Sequence, residues 1–463
     1  MHTHSAEAKQ GSADSYLFGR RQAWFAFAMT IALMVFDYVD RQVIVSLFPY
    51  MKQDWGLSDK QLGGLVSIVS ITIALGALPV ALFADRTSRV KSIVVMATVW
   101  SLATISCMFT RSYGQLLAAR ALVGLGEAGY GSVGAALIAS HFPARMRSAL
   151  MAGFFASASV GSVVGVMLGG LIAAQWGWKA AFGVVGFPGL VLALLYLKVR
   201  DYRTVELTPR QDRAMRSTRS AARAIAKALF RSRTMLWVCV GGAAQVLVVS
   251  AIWSWLPSFL NREYGLAPDQ ASVKAALVVL CGAIGSVVWG AVVDRAGARR
   301  PHAKLHAMAL LCIASFLVVC TAFGAPRLGL EMSAQVRFAL IALGGFLMTC
   351  TVGPVTAIVI DVTHPAVRAT SASVLALFLN LFGLAAGSFI AGVLSDAWGL
   401  TTALTVIPAF GLLAALAFSF AARTYEADMQ RAAQPTDEPA LTPTAGEREF
   451  PHTRTDVAAQ NRA

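Results

Sequence analysis

The sequence predicts an all-α membrane protein: twelve transmembrane helices in two six-helix, pseudo-symmetric bundles. Three observations predict it. Of the 463 residues, 57% are hydrophobic and only 14% charged, with a mean hydropathy of +0.63, which leaves too little polar surface for a soluble chain of this length. Apolar stretches long enough to cross a hydrocarbon core of about 30 Å as a helix recur along the whole chain. Finally, one basic segment occurs twice, as Ala84-Asp85-Arg86-Thr87-Ser88-Arg89-Val90-Lys91 and as Val293-Asp294-Arg295-Ala296-Gly297-Ala298-Arg299-Arg300, with its aspartates 209 positions apart. A basic turn repeated in each half of a membrane chain marks a duplicated bundle, an architecture that carries solutes.

The spans fall near 22–50, 60–83, 91–110, 114–140, 149–174 and 178–198, then 235–260, 271–292, 303–324, 335–360, 367–394 and 399–422. They divide the chain into an N-terminal tail (1–20), a first bundle (21–198), a linker (199–234), a second bundle (235–422) and a polar tail (423–463) that reads as disordered. The first span carries Asp37-Tyr38-Val39-Asp40-Arg41. Trp55-Gly56-Leu57-Ser58 introduces the second and matches Tyr264-Gly265-Leu266-Ala267 before the eighth, offset by 209. The fourth span carries Arg120 and Glu127. Around the fifth and eleventh, Pro143 pairs with Pro365, Gly161 with Gly383, Gly165 with Gly387 and Trp176 with Trp398, all offset by 222. The 13 extra residues fit a longer loop around 325–335.

The net charge of +15 invites a nucleic-acid reading, but its placement argues against one. Basic residues concentrate in the loops on the side of the N-terminus, including eleven in 198–234 against Asp201, Glu206 and Asp212. This positive-inside bias predicts a multi-pass protein of the inner membrane with both termini cytoplasmic. Residues 1–20 lack the apolar core and cleavage site of a removable signal. Within the linker, Thr208-Pro209 suits a helix start, and Arg210, Arg213, Arg216, Arg223 and Lys227 would share a face toward anionic lipid. A solvated linker is the alternative.

All six cysteines lie in apolar helices without metal-ligand spacing, and no metal or cofactor is expected. Gly124-Leu125-Gly126-Glu127-Ala128-Gly129 mimics a dinucleotide loop, but it lies in an apolar helix with no preceding strand. No Walker loop and no nucleophile-base pair is present, so neither ATP-driven transport nor an enzyme is expected. Gly161, Gly165 and Gly169 share a helical face, repeated by Gly383 and Gly387, and should pack helices where the halves rock.

The buried charges carry the most specific chemistry. A charge in hydrocarbon costs at least ~2.5–3.5 kcal/mol, so Asp37, Asp40, Arg41, Arg120 and Glu127 should pair around a cavity. At 1.5 Å per residue, Asp40 and Arg120 both fall within roughly 6–11 Å of the midplane and can meet. Asp40 and Glu127 are the proton-coupling candidates, because a carboxylate that gains and loses its arginine can take up and release a proton. A static salt-bridge cluster is the alternative. Arg41 and Arg120, with Asp37 and Tyr38, are candidates for an anionic head group. Gln245, Trp253, Thr349, Thr356 and Asn380 are the few polar or amphipathic groups on the opposing wall, and Gln245, Trp253 and Asn380 are the candidates there. Asp85, Arg86, Arg89, Asp294, Arg295 and Arg299 are the gating candidates, since ion pairing there can differ between inward-open and outward-open states.

These segments resemble the major facilitator superfamily, whose signature at both loops is Gly, three residues, Asp-Arg, one residue, Gly, then basic residues. The second copy, Gly290 to Arg300, follows it with one extra residue; the first has Ala81 and Ser88 in place of the glycines. Asp40-Arg41, Trp55-Gly56-Leu57-Ser58, Gln61-Leu62-Gly63 and Arg120 to Ala128 resemble the spinster-like branch. That resemblance implies the major facilitator fold, alternating access, and proton sensing and gating by Asp40 and Glu127 with Arg41 and Arg120 as partners. Animal members of that branch move lysolipids and sphingosine phosphate; the expectation of an amphipathic or lipid-like organic anion here rests on the charge asymmetry, with a head group near Arg41 and Arg120 and an apolar body along the second half. An Asp-Arg pair in the first span also occurs in the branch that imports small organic acids, the second expectation. A transporter-like sensor is the remoter third. The expected partners are substrate, protons and membrane lipids, with no nucleic acid, and the chain is expected to be a monomer.

Overall fold

The computed structural model describes residues 16–201, 232–325, 329–364 and 368–433. Among them every regular element is helical. In chain order they are α1 (Arg20–Val43, continued by a 3-10 turn Ile44–Leu47 and Phe48–Trp55), α2 (Asp59–Arg86), α3 (Arg89–Cys107), α4 (Tyr113–Glu127 and Tyr130–His141), α5 (Ala144–Trp176) and α6 (Trp178–Tyr196). The second series is α7 (Arg233–Tyr264), α8 (Pro268–Arg299), α9 (Ala303–Gly324), α10 (Ala334–Met348 and Pro354–Asp361), α11 (Arg368–Phe378, a π segment Leu379–Ala385, and Ala386–Trp398) and α12 (Leu400–Val406, a 3-10 turn Ile407–Ala409, and Phe410–Ala433). Among the described residues eleven helices are long and apolar enough to span a membrane, and Ala334–Met348 of α10 is a shorter apolar helix. The proposed lipid-facing helix of the linker lies outside the described residues.

Helix ends follow local chemistry and repeat between the halves. Gly56 (φ 63°) ends α1 and Gly265 (φ 61°) ends α7; Gly177 (φ 79°) and Gly399 (φ 83°) follow α5 and α11. Only glycine takes these left-handed positions without strain. The two breaks also match. α4 is interrupted at Ala128–Gly129, where Gly129 has φ 85°, and α10 is interrupted between Met348 and Pro354. The Gly124–Gly129 segment is therefore not one continuous helix, although no strand precedes it.

Three buried clusters hold the molecule together. One, built around Phe154, Trp100 and Tyr130, draws only on the first half, and a second, around Phe418, Met308 and Tyr425, only on the second half. The third joins both halves at the side away from the termini, hereafter the distal side. There Phe48 of α1 meets Trp255 of α7 with ring centroids 5.1 Å apart, and Trp55 and Trp178 stack edge to face at 5.0 Å.

Three expectations need correction. The glycines of α5 do not face the other half. Gly161, Gly165 and Gly169 lie against Val35, Val39 and Val43 of α1; a Cβ on Gly165 would stand 2.7 Å from the Val39 carbonyl oxygen. Gly383 and Gly387 likewise press on α7. The stripe draws the backbones together within each half, which fixes α1, the helix that carries the charges. Second, the basic segments are largely helix ends rather than turns: Asp85 and Arg86 close α2, and Asp294 to Arg299 lie inside α8. Ser88, replacing a glycine, caps α3 by accepting from Lys91 N at 2.9 Å. Third, the polar tail is helical as far as Ala433, because Asp428 accepts from the Ser232 hydroxyl and from Thr234 N and so ties that turn to the start of α7.

Candidate functional site

The buried charges gather where α1, α3 and α4 meet, in two linked groups. Arg120 and Asp40 form the first, with Nη1 to Oδ1 at 3.2 Å and side chains 1% and 2% exposed. Thr104 of α3 donates its hydroxyl to the other Asp40 oxygen, so both are occupied. Arg41 centres the second. Its Nη2 meets Asp37 Oδ2 at 3.1 Å, one helical turn away, and its Nε lies 3.0 Å from Glu127 Oε2. The guanidinium also stands 4.9 Å from the Tyr38 ring centre, a cation–π contact.

The two groups differ in what they leave open. Asp40 and Arg120 are sealed. Arg41 is 21% exposed, while Asp37 and Glu127 are 2% and 0% exposed. The Arg41–Glu127 approach is an ion contact without hydrogen-bond alignment, and neither Glu127 oxygen has a hydrogen-bond partner. Glu127 owes this to the break in α4, since it is the last residue before Ala128 and Gly129. Three carboxylates share two guanidiniums, so the cluster is one positive charge short of neutral when all five are ionised. Interrupted helices that turn their ends toward a mid-membrane site are a recurring way to hold charged solutes.

The other expected residues scatter. Gln245 is fully buried and donates to the Met348 carbonyl at 2.9 Å, which supports the break in α10 rather than facing a cavity. Trp253 is partly buried with an unpartnered indole nitrogen, and Asn380, in the π segment, donates to Ala376 O at 2.9 Å. Thr349 donates to Gly282 O at 2.8 Å, holding α8 to the same break. Among the gating candidates, the side chains of Asp85, Arg86 and Arg299 lie outside the described residues. Arg89 is partly buried and engaged, Arg295 is exposed, and Asp294 is 65% exposed with Lys304 Nζ at 3.8 Å.

An ion network on the distal side was not anticipated from sequence. Asp59, at the start of α2, is 2% exposed and accepts from both Arg262 Nη atoms of α7 at 2.7 and 2.8 Å. It also accepts from Lys52 at 2.6 Å and from the Ser395 hydroxyl of α11 at 2.5 Å. In return Asp396 of α11 accepts from the backbone N–H groups of Asp59 and Lys60 at 2.9 and 2.8 Å. A clasp between the two halves results. Its only trace in sequence is an acid just past the matched Gly56 and an arginine just before the matched Gly265. Thr104 was missed for a plainer reason: one hydroxyl in an apolar helix gives no signal.

Comparison with known proteins agrees with this architecture. A family model described as Major Facilitator Superfamily matches residues 30–381 and 238–456. The gallate transporter of Pseudomonas putida is 28% identical over 427 residues, covering 85% of this chain and 90% of its own. Protein spinster of Drosophila melanogaster is 24% identical over 388 residues, covering 81% of this chain but 62% of its own. The crystal structure of a bacterial homolog to the human lysosomal transporter Spinster, inward-facing and unoccupied, superposes with a TM-score of 0.77 at 21% identity, over 89% of this chain and 99% of that one. With the family model spanning most of its length and the fold in agreement, the chain belongs to the major facilitator superfamily of membrane transporters.

Proposed function

We propose that this protein is a proton-coupled secondary transporter of an amphipathic organic anion, sited in the inner membrane with both termini cytoplasmic and working by alternating access. The observation that carries this reading is Arg41, the partly exposed cation of a buried, net-negative cluster, held beside a carboxylate with no hydrogen-bond partner. An incoming carboxylate and Glu127 compete for the same guanidinium. When substrate takes Arg41, Glu127 loses its compensating charge in a buried place, and protonation relieves it. When substrate leaves, Arg41 returns and the proton is released. Binding and protonation are thus linked through one side chain.

The sealed Asp40–Arg120 pair then braces α1 against α4, and Glu127 carries the proton. The largely uncharged second half, where Trp253 lies against Gly282 of α8, suits the apolar body of the substrate. A small aromatic acid has both a carboxylate and an apolar body, and the likeness to a gallate transporter favours this smaller size over a lysolipid.

The test is flux in proteoliposomes under an imposed pH gradient, comparing a hydroxybenzoate, a sugar acid and a lysophospholipid. Gradient-driven uptake of an acid, lost in a correctly inserted Arg41→Ala variant, is expected. Normal uptake by that variant would refute the reading, as would flux indifferent to the gradient.

A further inference from the structure

Where α1 begins and α6 ends, a recess of about 520 Å³ is lined by Phe18, Gly19, Arg20, Arg21, Phe25, Lys198 and Arg200, together with Gln22. Four of these residues are cations and none is an acid. Arg20, Arg21, Lys198 and Arg200 are all exposed, and none has an ion pair among the described residues. The neighbouring acid, Asp201, does not line the recess and lies within electrostatic reach of His141. The walls are fixed: Gln22 Nε2 donates to Lys198 O at 3.1 Å, bolting α1 to the end of α6, and Leu17 N donates to His141 O at 3.3 Å. The first turn of α1 carries no acid, so its unpaired N–H groups add to the positive potential instead of offsetting it.

One helical turn deeper the chemistry changes abruptly. Trp24 and Phe25 follow Arg20 and Arg21 at i+4, on the same faces of α1, and Leu194, in the last turn of α6, and Leu197, just past it, lead directly into Lys198. Trp24 is 39% exposed, Leu194 59% and Leu197 59%. Four converging cations therefore sit directly above exposed aromatic and aliphatic surface at the edge of the hydrocarbon layer. A free inorganic anion would use the cations and leave the apolar shelf bare. A phospholipid uses both.

We infer that this recess binds the phosphate head group of an anionic phospholipid of the cytoplasmic leaflet, with its acyl chains along Trp24, Leu194 and Leu197. The site couples the start of α1, which carries Asp37, Asp40 and Arg41 further along, to the lipid that surrounds it. It relies on the orientation proposed above but not on any substrate.

The test is native mass spectrometry and thermal stability of the purified full-length protein with phosphatidylglycerol, cardiolipin, phosphatidylcholine or inorganic phosphate added singly. Wild type should retain the anionic lipids at least fivefold over phosphatidylcholine and gain thermal stability from them, and millimolar inorganic phosphate should not displace them. Arg21→Gln/Lys198→Gln/Arg200→Gln should lose that preference, whereas Arg21→Lys/Lys198→Arg, which keeps the charges, should retain it. A comparison variant, Arg233→Gln/Arg300→Gln/Arg423→Gln, removes three cations elsewhere on the same side and should bind as wild type. Equal retention by the first triple variant, equal loss in the comparison variant, or stoichiometric displacement by phosphate would each overturn the inference. Because lipid retention is read without transport, a failure here leaves the transport reading standing, and the reverse also holds.

Discussion

Replacing Asp59 by Asn should release the distal clasp and shift the protein toward a distal-open state. Asp59 is 2% exposed and takes two bonds from Arg262, one from Lys52 and one from Ser395, all between 2.5 and 2.8 Å. Removing one partner of a fully buried pair costs about 3–5 kcal/mol, whereas an exposed pair contributes about 0–1 kcal/mol. Arg262 and Lys52 are 29% and 42% exposed, so water rescues part of the loss. An intermediate value of about 2 kcal/mol follows, close to a 30-fold change in the closed-to-open ratio. Asn keeps the shape and can still accept from Ser395, so the change isolates the charge. Spin labels on Gln53→Cys and Ala267→Cys, both exposed on opposite halves, would report the distance in a background with Cys281 and Cys320 replaced by Ser. A longer-distance population should grow by one to two orders of magnitude. An unchanged distance distribution, in protein that still folds, would show that the clasp does not set the equilibrium.

Other consequences concern the charged cluster and its support. Glu127→Gln should flatten the pH dependence of uptake while leaving thermal stability near wild type, because Arg41 keeps Asp37 as its counter-ion and the cluster sheds its excess negative charge; a retained pH profile would count against its proton role. Asp40→Asn should instead lower stability by about 3 kcal/mol, as Arg120 becomes a buried charge without its counter-ion. Thermal unfolding of the two variants, side by side, separates carrier from brace. Gly165→Ala should force α1 from α5, costing roughly 1–3 kcal/mol and slowing transport with the charges intact, and a stable, fully active variant would contradict the packing argument.

Much of this molecule is legible in its sequence because hydrophobicity is a local property. A window of about 20 residues is enough to decide whether a segment spans a membrane, so the helices, the twofold repeat and the five buried charges of the first half follow from the chain alone. The meeting of Asp40 with Arg120 was also accessible, since depth along a helix is simple arithmetic, whereas the pairing of Glu127 with Arg41 was not. Which pair is sealed and which remains open was not. That depends on Thr104 from a third helix and on the break after Glu127. The direction of the α5 glycines was likewise invisible, because periodicity identifies a face but not what it meets. Asp59 and Arg262 stand 203 positions apart, and Asp59 and Ser395 336 apart. No local pattern encodes contacts of that range; they arise only when two duplicated halves close on one another. Sequence by itself determined the scaffold and placed the charge in one half. The tertiary structure decided which carboxylate stays open and which end of the protein is clasped, because both depend on groups brought together only by packing.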